Sequence, residues 1–291
     1  MFLYISGMKY LIGIVLIGLL ASCGDASGDA SGDATTNSAP VKNMDARIWF
    51  NRAYISDDYN YQVSCYTKSL SFYSDYFEAY NNRGFAYDKL GKHQEAIDDY
   101  TTAIKIDPNS FDAYSNRGVA YDKLGKHQKA IDDYTTAINI NPDFADAYIN
   151  RGLVSLNDLE KYQEAINDFT TAIKINPYYV GAYVNRGAAY YKLGKYQEAI
   201  NDYNTAIKIN PNYALAYYNR GISYNELGRY QEAINDYNAA IKINPNDASA
   251  YVNRGVTKEQ LGIIDNCIDY KKACELGSTM GCEYYRMDGC N

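Results

Sequence analysis

From about residue 46 to residue 278 the apolar positions recur at helical spacing, in short stretches broken by polar residues and single glycines or prolines. Residues 180–213 illustrate the pattern. A first stretch places Tyr183, Gly187 and Tyr190 on one face, and a second places Ala199, Ile200, Tyr203, Ala206 and Ile207 at i, i+1, i+4, i+7 and i+8. Gly194 lies between them, free to take a positive φ and so to end a helix. Asn210-Pro211 ends the second stretch, because proline disfavours helical backbone in the residue before it. The pattern predicts helices over 182–193 and 196–209 joined by a tight turn.

The same unit then recurs along the chain. Pro108, Pro142, Pro177, Pro211 and Pro245 follow one another at 34, 35, 34 and 34 residues. Asn-Arg-Gly starts at Asn82, Asn116, Asn150, Asn185, Asn219 and Asn253 with matching steps, and a degenerate copy, Asn51-Arg52-Ala53, precedes them. Seven helix–turn–helix units result: 46–76, 77–110, 111–144, 145–179, 180–213, 214–247 and 248–278. No unit can bury its apolar stripe alone, so an all-α stack of neighbours is predicted. A glycine inside a helix, such as Gly187, costs about 1 kcal/mol relative to alanine. Its recurrence indicates that the loss is offset where the second helix approaches closely, with Tyr183, Tyr190 and Tyr203 filling the space around the contact. That role accounts for much of the count of 33 tyrosines and makes them core residues.

Tyr-x3-Gly-x2-Tyr, then Ala-x3-Tyr-x2-Ala, then Pro, resembles the tetratricopeptide (TPR) signature, with tyrosine in place of the usual tryptophan, which only Trp49 restores. The resemblance covers residues 46–278 and implies a right-handed α–α superhelix, a TPR solenoid, whose first helices line a concave face. Two copies depart from it. The first lacks its proline and its inter-helix glycine. The fourth carries one extra residue, with Glu160 where its neighbours have glycine, so its turn is expected to be the most irregular in mid-stack.

The ends read differently. Residues 10–20 are apolar, too short a run for a span of about twenty residues, and suit a secretory signal over 1–22 in which Met8-Lys9 is a more natural start than Met1. Leu20-Ala21-Ser22-Cys23 resembles a bacterial lipobox, which implies lipidation of Cys23; an ordinary signal peptide with an incidental cysteine is the plainer alternative. Gly24-Asp25-Ala26-Ser27 repeats through Asp33, and residues 23–45 have the composition of a tether that cannot bury a core. The expected location is therefore the bacterial cell envelope, with the membrane reached through the lipid.

At the other end, Cys267 and Cys274 fall on the inner stripe of the last unit, and Cys282 and Cys290 lie on a helix predicted from residue 279, within a capping segment 279–291. If the chain turns back at Gly277-Ser278, nested pairs follow, Cys274–Cys282 and Cys267–Cys290. Lys-Lys-Ala-Cys-Glu-Leu-Gly with a following Gly-Cys resembles secreted cysteine-rich helical-repeat families, where such cysteines bridge helices. The bridges would cover the stripe that a terminal repeat otherwise leaves open, in an oxidising compartment. Cys65 is left over.

A net charge of −7 gives no basic stripe for nucleic acid. Only His93 and His127 could assist cysteines in holding a metal, no Cys-x2-Cys occurs, and both histidines stand where Tyr162, Tyr196 and Tyr230 stand elsewhere. They read as surface variants of a packing residue, and neither metal nor cofactor is expected. Asp98-Asp99 and Asp132-Asp133 recur with the period and read as helix surface charges rather than catalytic carboxylates. The recurring Arg83, Arg117, Arg151, Arg186, Arg220 and Arg254 form either salt bridges to Asp99, Asp133, Asp168, Asp202 and Asp236 or an anion-binding groove. The recurrence of both partners and the negative charge favour the first.

No catalytic constellation emerges, and the expected function is that of a monomeric, non-catalytic scaffold that grips an extended protein segment. An assembly factor of the outer membrane or of pili, and a hydrolase acting on β-lactam or cell-wall material, are the alternatives that the two resemblances imply. The sixth-position asparagines Asn82, Asn116, Asn150, Asn185, Asn219 and Asn253 are the candidate groove, since each amide can both donate to and accept from a guest backbone. The row resembles the asparagine ladder of O-linked N-acetylglucosamine transferases; bracing of neighbouring helices is the architectural alternative. Further lining is acidic first (Glu78, Asp112, Asp146) and apolar later (Val184, Leu215, Tyr218, Val252), which predicts a guest with a basic and an apolar end.

Overall fold

The computed structural model describes residues 44–287, and all structural statements concern these. The predicted signal, Cys23, Cys290 and all of the tether except Met44 and Asp45, which are helical, lie outside them. Fifteen α-helices follow one another: α1 (Met44–Tyr54), α2 (Tyr59–Phe72), α3 (Phe77–Lys89), α4 (His93–Ile106), α5 (Phe111–Lys123), α6 (His127–Ile140), α7 (Ala145–Asn157), α8 (Tyr162–Ile175), α9 (Val180–Lys192), α10 (Tyr196–Ile209), α11 (Ala214–Glu226), α12 (Tyr230–Ile243), α13 (Ala248–Gln260), α14 (Asn266–Glu275) and α15 (Thr279–Met287). None is long and apolar enough to cross a membrane.

Odd and even helices pair as antiparallel hairpins, and each even helix packs on the next odd one. Successive odd helices from α3 to α13 also touch one another, whereas successive even helices make no comparable contact among the described residues. The stack is therefore tighter on the side of the first helices, which form its concave wall.

The recurring glycine is required by one contact. A Cβ on Gly187 would stand 2.6 Å from Cε1 of Tyr203, whose side chain is 1% exposed and cannot retreat. Gly118 meets Tyr134 in the same way at 2.7 Å, and Gly152 meets Phe169 at 2.8 Å. The glycine lets the second helix press a ring against bare backbone. Burial pushes the phenol groups of Tyr100, Tyr203 and Tyr237 upward in pKa, so they stay neutral.

Gly194 ends its turn at φ 72°, the left-handed region that glycine enters without steric cost. In the fourth unit Glu160 adopts φ 53° in its place. The longer turn still closes a comparable capping bond, with Lys161 N donating to Ser155 O at 2.8 Å where Lys195 N donates to Tyr190 O at 2.9 Å. The irregular turn sits where the extra residue predicts it.

Both ends of the described stack are adapted. A disulfide joins Cys274 of α14 to Cys282 of α15, with Cα atoms 4.5 Å apart. Beside it Gly281 is so close to α14 that an added Cβ would lie 2.6 Å from that of Ala273. Cys267 is also disulfide-bonded, and its expected partner, Cys290, is not among the described residues. At the other end Cys65 is a buried free thiol. It occupies the place that Asp99 holds one unit later, and Arg52, without that carboxylate, lies 4.6 Å over the Trp49 ring.

Candidate functional site

The arginines of the first helices form three-way clamps. Arg83 donates from Nε to Asp99 Oδ2 and from Nη2 to Asp99 Oδ1, both at 2.7 Å. Its Nη1 donates to Thr67 Oγ1 of the preceding unit at 3.0 Å. Arg117, Arg151, Arg186 and Arg220 repeat the grip on Asp133, Asp168, Asp202 and Asp236. Arg254 does so with Asp269, a sixth partner not foreseen. The third donor goes to Thr101, Thr135, Thr170, Asn204 and Asn238 in turn. A Thr or Asn sixteen residues before every arginine was the signal in the sequence. With these donors engaged, the ladder braces the stack and offers no anion groove.

The paired aspartates divide. Asp98 and Asp132 are exposed as predicted, but Asp99 and Asp133 are buried, each 6% exposed. The helical step of 100° between neighbours turns the second carboxylate of each pair inward toward the arginine. Desolvation raises the carboxyl pKa of Asp99, Asp202 and Asp236 against the lowering pull of their arginines, as expected when buried pairing offsets only part of the desolvation cost.

All six candidate asparagines are half-buried on the concave helices. Toward the ends they are occupied. Asn82 hydrogen-bonds Tyr66, Asn116 Nδ2 donates to Asn81 Oδ1 at 3.3 Å, and Asn253 Nδ2 donates to the Tyr218 hydroxyl at 2.9 Å. In mid-stack the side-chain amides of Asn150, Asn185 and Asn219 make no hydrogen bond among the described residues.

The acidic lining stands beside them. Asp112 lies on the exposed lip, and Asp146 is half-buried and accepts a bond from the Tyr179 hydroxyl at 3.3 Å. Desolvation raises the pKa of both carboxyls, and the charge of Asp146 raises Asp112 further. Tyr179, desolvated and facing that charge, is pushed up to about 12. The apolar lining needs correction. Val184 is 2% exposed and packs with Ala199, Tyr203 and Ala216 where α9, α10 and α11 meet; Val252 is 5% exposed. The fifth position faces the neighbouring unit, so small aliphatic residues there become core. Leu215 and Tyr218 are half-buried, packed partly against the neighbouring core.

Neither histidine is a plain surface variant. His93 Nδ1 lies 2.8 Å from Asp88 Oδ1, and His127 Nδ1 lies 2.9 Å from Asp122 Oδ1. An acidic residue at the twelfth position of these two units, five before each histidine, was the overlooked signal.

Family models of the TPR repeat match residues 155–194, 189–228 and 223–262, and those of the tetratricopeptide repeat match 77–110 and 111–144. Among solved structures, a tetratricopeptide repeat protein from Parabacteroides merdae is 24% identical with a TM-score of 0.64, over 84% of this chain and 98% of its own. YrrB, described as a TPR protein with an unusual peptide-binding site, is 22% identical with a TM-score of 0.54, over 65% of this chain and 96% of its own. Pseudomonas aeruginosa pilF is 18% identical with a TM-score of 0.63, over 72% and 97%. At such identities the likeness is one of fold. No curated protein matches the chain. The matched repeats take in more than half of the sequence, and their glycine–ring contacts and turns recur in the fold: the chain belongs to the tetratricopeptide-repeat family.

Proposed function

We propose that the protein is a non-catalytic scaffold that holds an extended protein segment along its concave wall, in the bacterial cell envelope. One observation carries the reading: Asn150, Asn185 and Asn219 present unengaged amides in a row on three successive first helices, while the asparagines toward the ends are engaged. A half-buried amide without a partner gains from a guest that supplies one. A row of them suits any backbone, which gives sequence-tolerant capture. Asp112 and Asp146 would select a basic residue at one end of the guest, and Leu215 with Tyr218 an apolar one toward the other. YrrB, of the same fold, is described as having a peptide-binding site. The envelope location rests on Leu20-Ala21-Ser22-Cys23 and agrees with a disulfide at the C-terminal end.

The test replaces Asn150, Asn185 and Asn219 together by alanine and measures capture of an array of unrelated extended peptides, alongside helicity and melting. Lost capture with unchanged melting supports the groove. Unchanged capture, or a large loss of stability, assigns the asparagines to architecture. Separately, Cys23→Ser should move the protein from the membrane to the soluble fraction, and retention on the membrane would refute the anchor.

A further inference from the structure

We propose that Asp122, His127 and Asp158 form a binding site for a divalent transition-metal ion of the zinc type, tying the third unit to the fourth. The three come from different elements. Asp122 is in the last turn of α5, His127 opens α6, and Asp158 caps the C-terminal end of α7. His127 Nδ1 lies 2.9 Å from Asp122 Oδ1 and 4.0 Å from Asp158 Oδ2, and one donor atom from each residue falls within a 4.8 Å cluster. Ligands about 2.1 Å from a tetrahedral ion stand roughly 3.4 Å apart. The two distances to His127 bracket that value, so an ion needs His127 and Asp122 to part by about half an ångström and Asp158, which sits on an exposed turn, to move inward.

The preceding unit contains the same pair in a different setting. Asp88 and His93 are equivalent to Asp122 and His127, but there the Lys123 ammonium lies 2.5 Å from Asp88 Oδ2. A fixed protein cation already stands in the cluster. One unit later the residue in the place of Lys123 is the neutral Asn157, and the extra residue of the fourth unit sets Asp158 beside the histidine. A lysine at one site is thus replaced by a second carboxylate at the other. Two carboxylates and a neutral imidazole match a divalent cation in charge. The imidazole nitrogen favours zinc, nickel or copper over magnesium and calcium, which prefer oxygen throughout. Asp122 and His127 are half-buried and Asp158 exposed, so the ion has a path in and room for water in its remaining position. Its effect would fall on the junction that carries the strained Glu160 turn.

The full chain, stripped with a chelator, is titrated with ZnCl2, with MgCl2 in parallel. Zinc should saturate at one ion per chain and raise the melting temperature, while magnesium should do neither. The chain has 2 histidines, so their ring signals can be followed individually by NMR. Zinc should shift that of His127 and leave that of His93 in place. Asp158→Asn and His127→Ala should each weaken zinc binding at least about tenfold, and His93→Ala should retain it. Asp158→Asn changes an exposed, nearly isosteric side chain, so a folded variant is expected, checked by its helicity without metal. Absence of saturable zinc binding, undiminished binding in Asp158→Asn, or a ring shift at His93 rather than His127 would overturn the site. These readouts use no peptide, so they stand apart from the groove.

Discussion

Arg186 holds Asp202 through two parallel hydrogen bonds, Nε to Oδ2 at 2.8 Å and Nη2 to Oδ1 at 2.7 Å. A third bond, Nη1 to Thr170 at 3.0 Å, makes one guanidinium a link among α8, α9 and α10. Repeated along the stack, this contact ties each unit both internally and to the one before.

The first prediction removes one side of the link. Asp202→Ala leaves a guanidinium that is 17% exposed without its carboxylate. Breaking a fully buried pair costs about 3–5 kcal/mol, and partial access to water should reduce the loss to roughly 2–3 kcal/mol. The double replacement Arg186→Leu/Asp202→Leu should recover part of it, because desolvation weighs against the pair. Urea unfolding of the three variants measures this, and a double variant less stable than Asp202→Ala would refute it.

Two glycines should respond differently to alanine. At Gly187 helix propensity favours alanine by about 1 kcal/mol, but the added methyl would enter the Tyr203 ring at 2.6 Å. Overpacking of this kind costs about 1–3 kcal/mol, so a net loss is expected. At Gly194 nothing lies within 4 Å, and the penalty comes only from φ 72°, about 1–2 kcal/mol for a left-handed backbone. By the same reasoning Glu160→Gly should stabilise the fourth unit. Tyr203→Leu should rescue Gly187→Ala and leave Gly194→Ala unchanged, as read by thermal melting.

The period made most of this fold legible. Prolines, glycines and tyrosines each mark a position where the backbone or a close contact admits few alternatives, so their spacing carried over directly to turns and helices. Side-chain partners were less legible. Recurrence pointed to Asp99 and its equivalents as partners of the arginines, since Asn167, Asn201 and Asn235 stand where Asp98 does, but it did not show that these carboxylates are buried, which follows only from the packed helices. Val184 read as lining because its position was assigned to the groove, yet an aliphatic residue there packs into the next unit instead. Thr170 and its equivalents recur as regularly as the arginines, but a contact between units appears only once the units are stacked. Asp158 beside His127 depended on a one-residue insertion, which spacing located but could not orient.

Reduction of the Cys274–Cys282 bond should act locally. Closing a loop of this size contributes roughly 2–3 kcal/mol by the chain-entropy account. Repeat stability is a sum over neighbours, so the loss should fall on α15 and the adjoining hairpin. Hydrogen exchange with and without reductant should show faster exchange from α14 onward and unchanged protection in α5 to α10. Uniform loss of protection would contradict this.

The last prediction concerns pH. In the free protein, burial raises the carboxyl pKa values of Asp112 and Asp146 above the ordinary 3.8, and the charge of Asp146 adds to the shift at Asp112. A lysine or arginine of a guest placed between them favours the ionised forms and returns both values toward or below the ordinary range. The complex then binds fewer protons than its free components. Affinity should therefore fall as pH drops through the raised values and level off at neutral pH. Folding stability runs the other way. Because the folded carboxyls hold their protons more tightly than the unfolded ones, their contribution favours the fold at low pH and is lost as pH rises through the raised values. Asp112→Asn with Asp146→Asn should flatten the capture profile of a lysine-ended extended peptide, while the new amide at position 146 keeps an acceptor for the Tyr179 hydroxyl. Stability at neutral pH should be equal or slightly higher. Binding measured from about pH 4 to 7 spans the carboxylate range, and a double variant with the wild-type profile would remove these residues from the recognition of the guest.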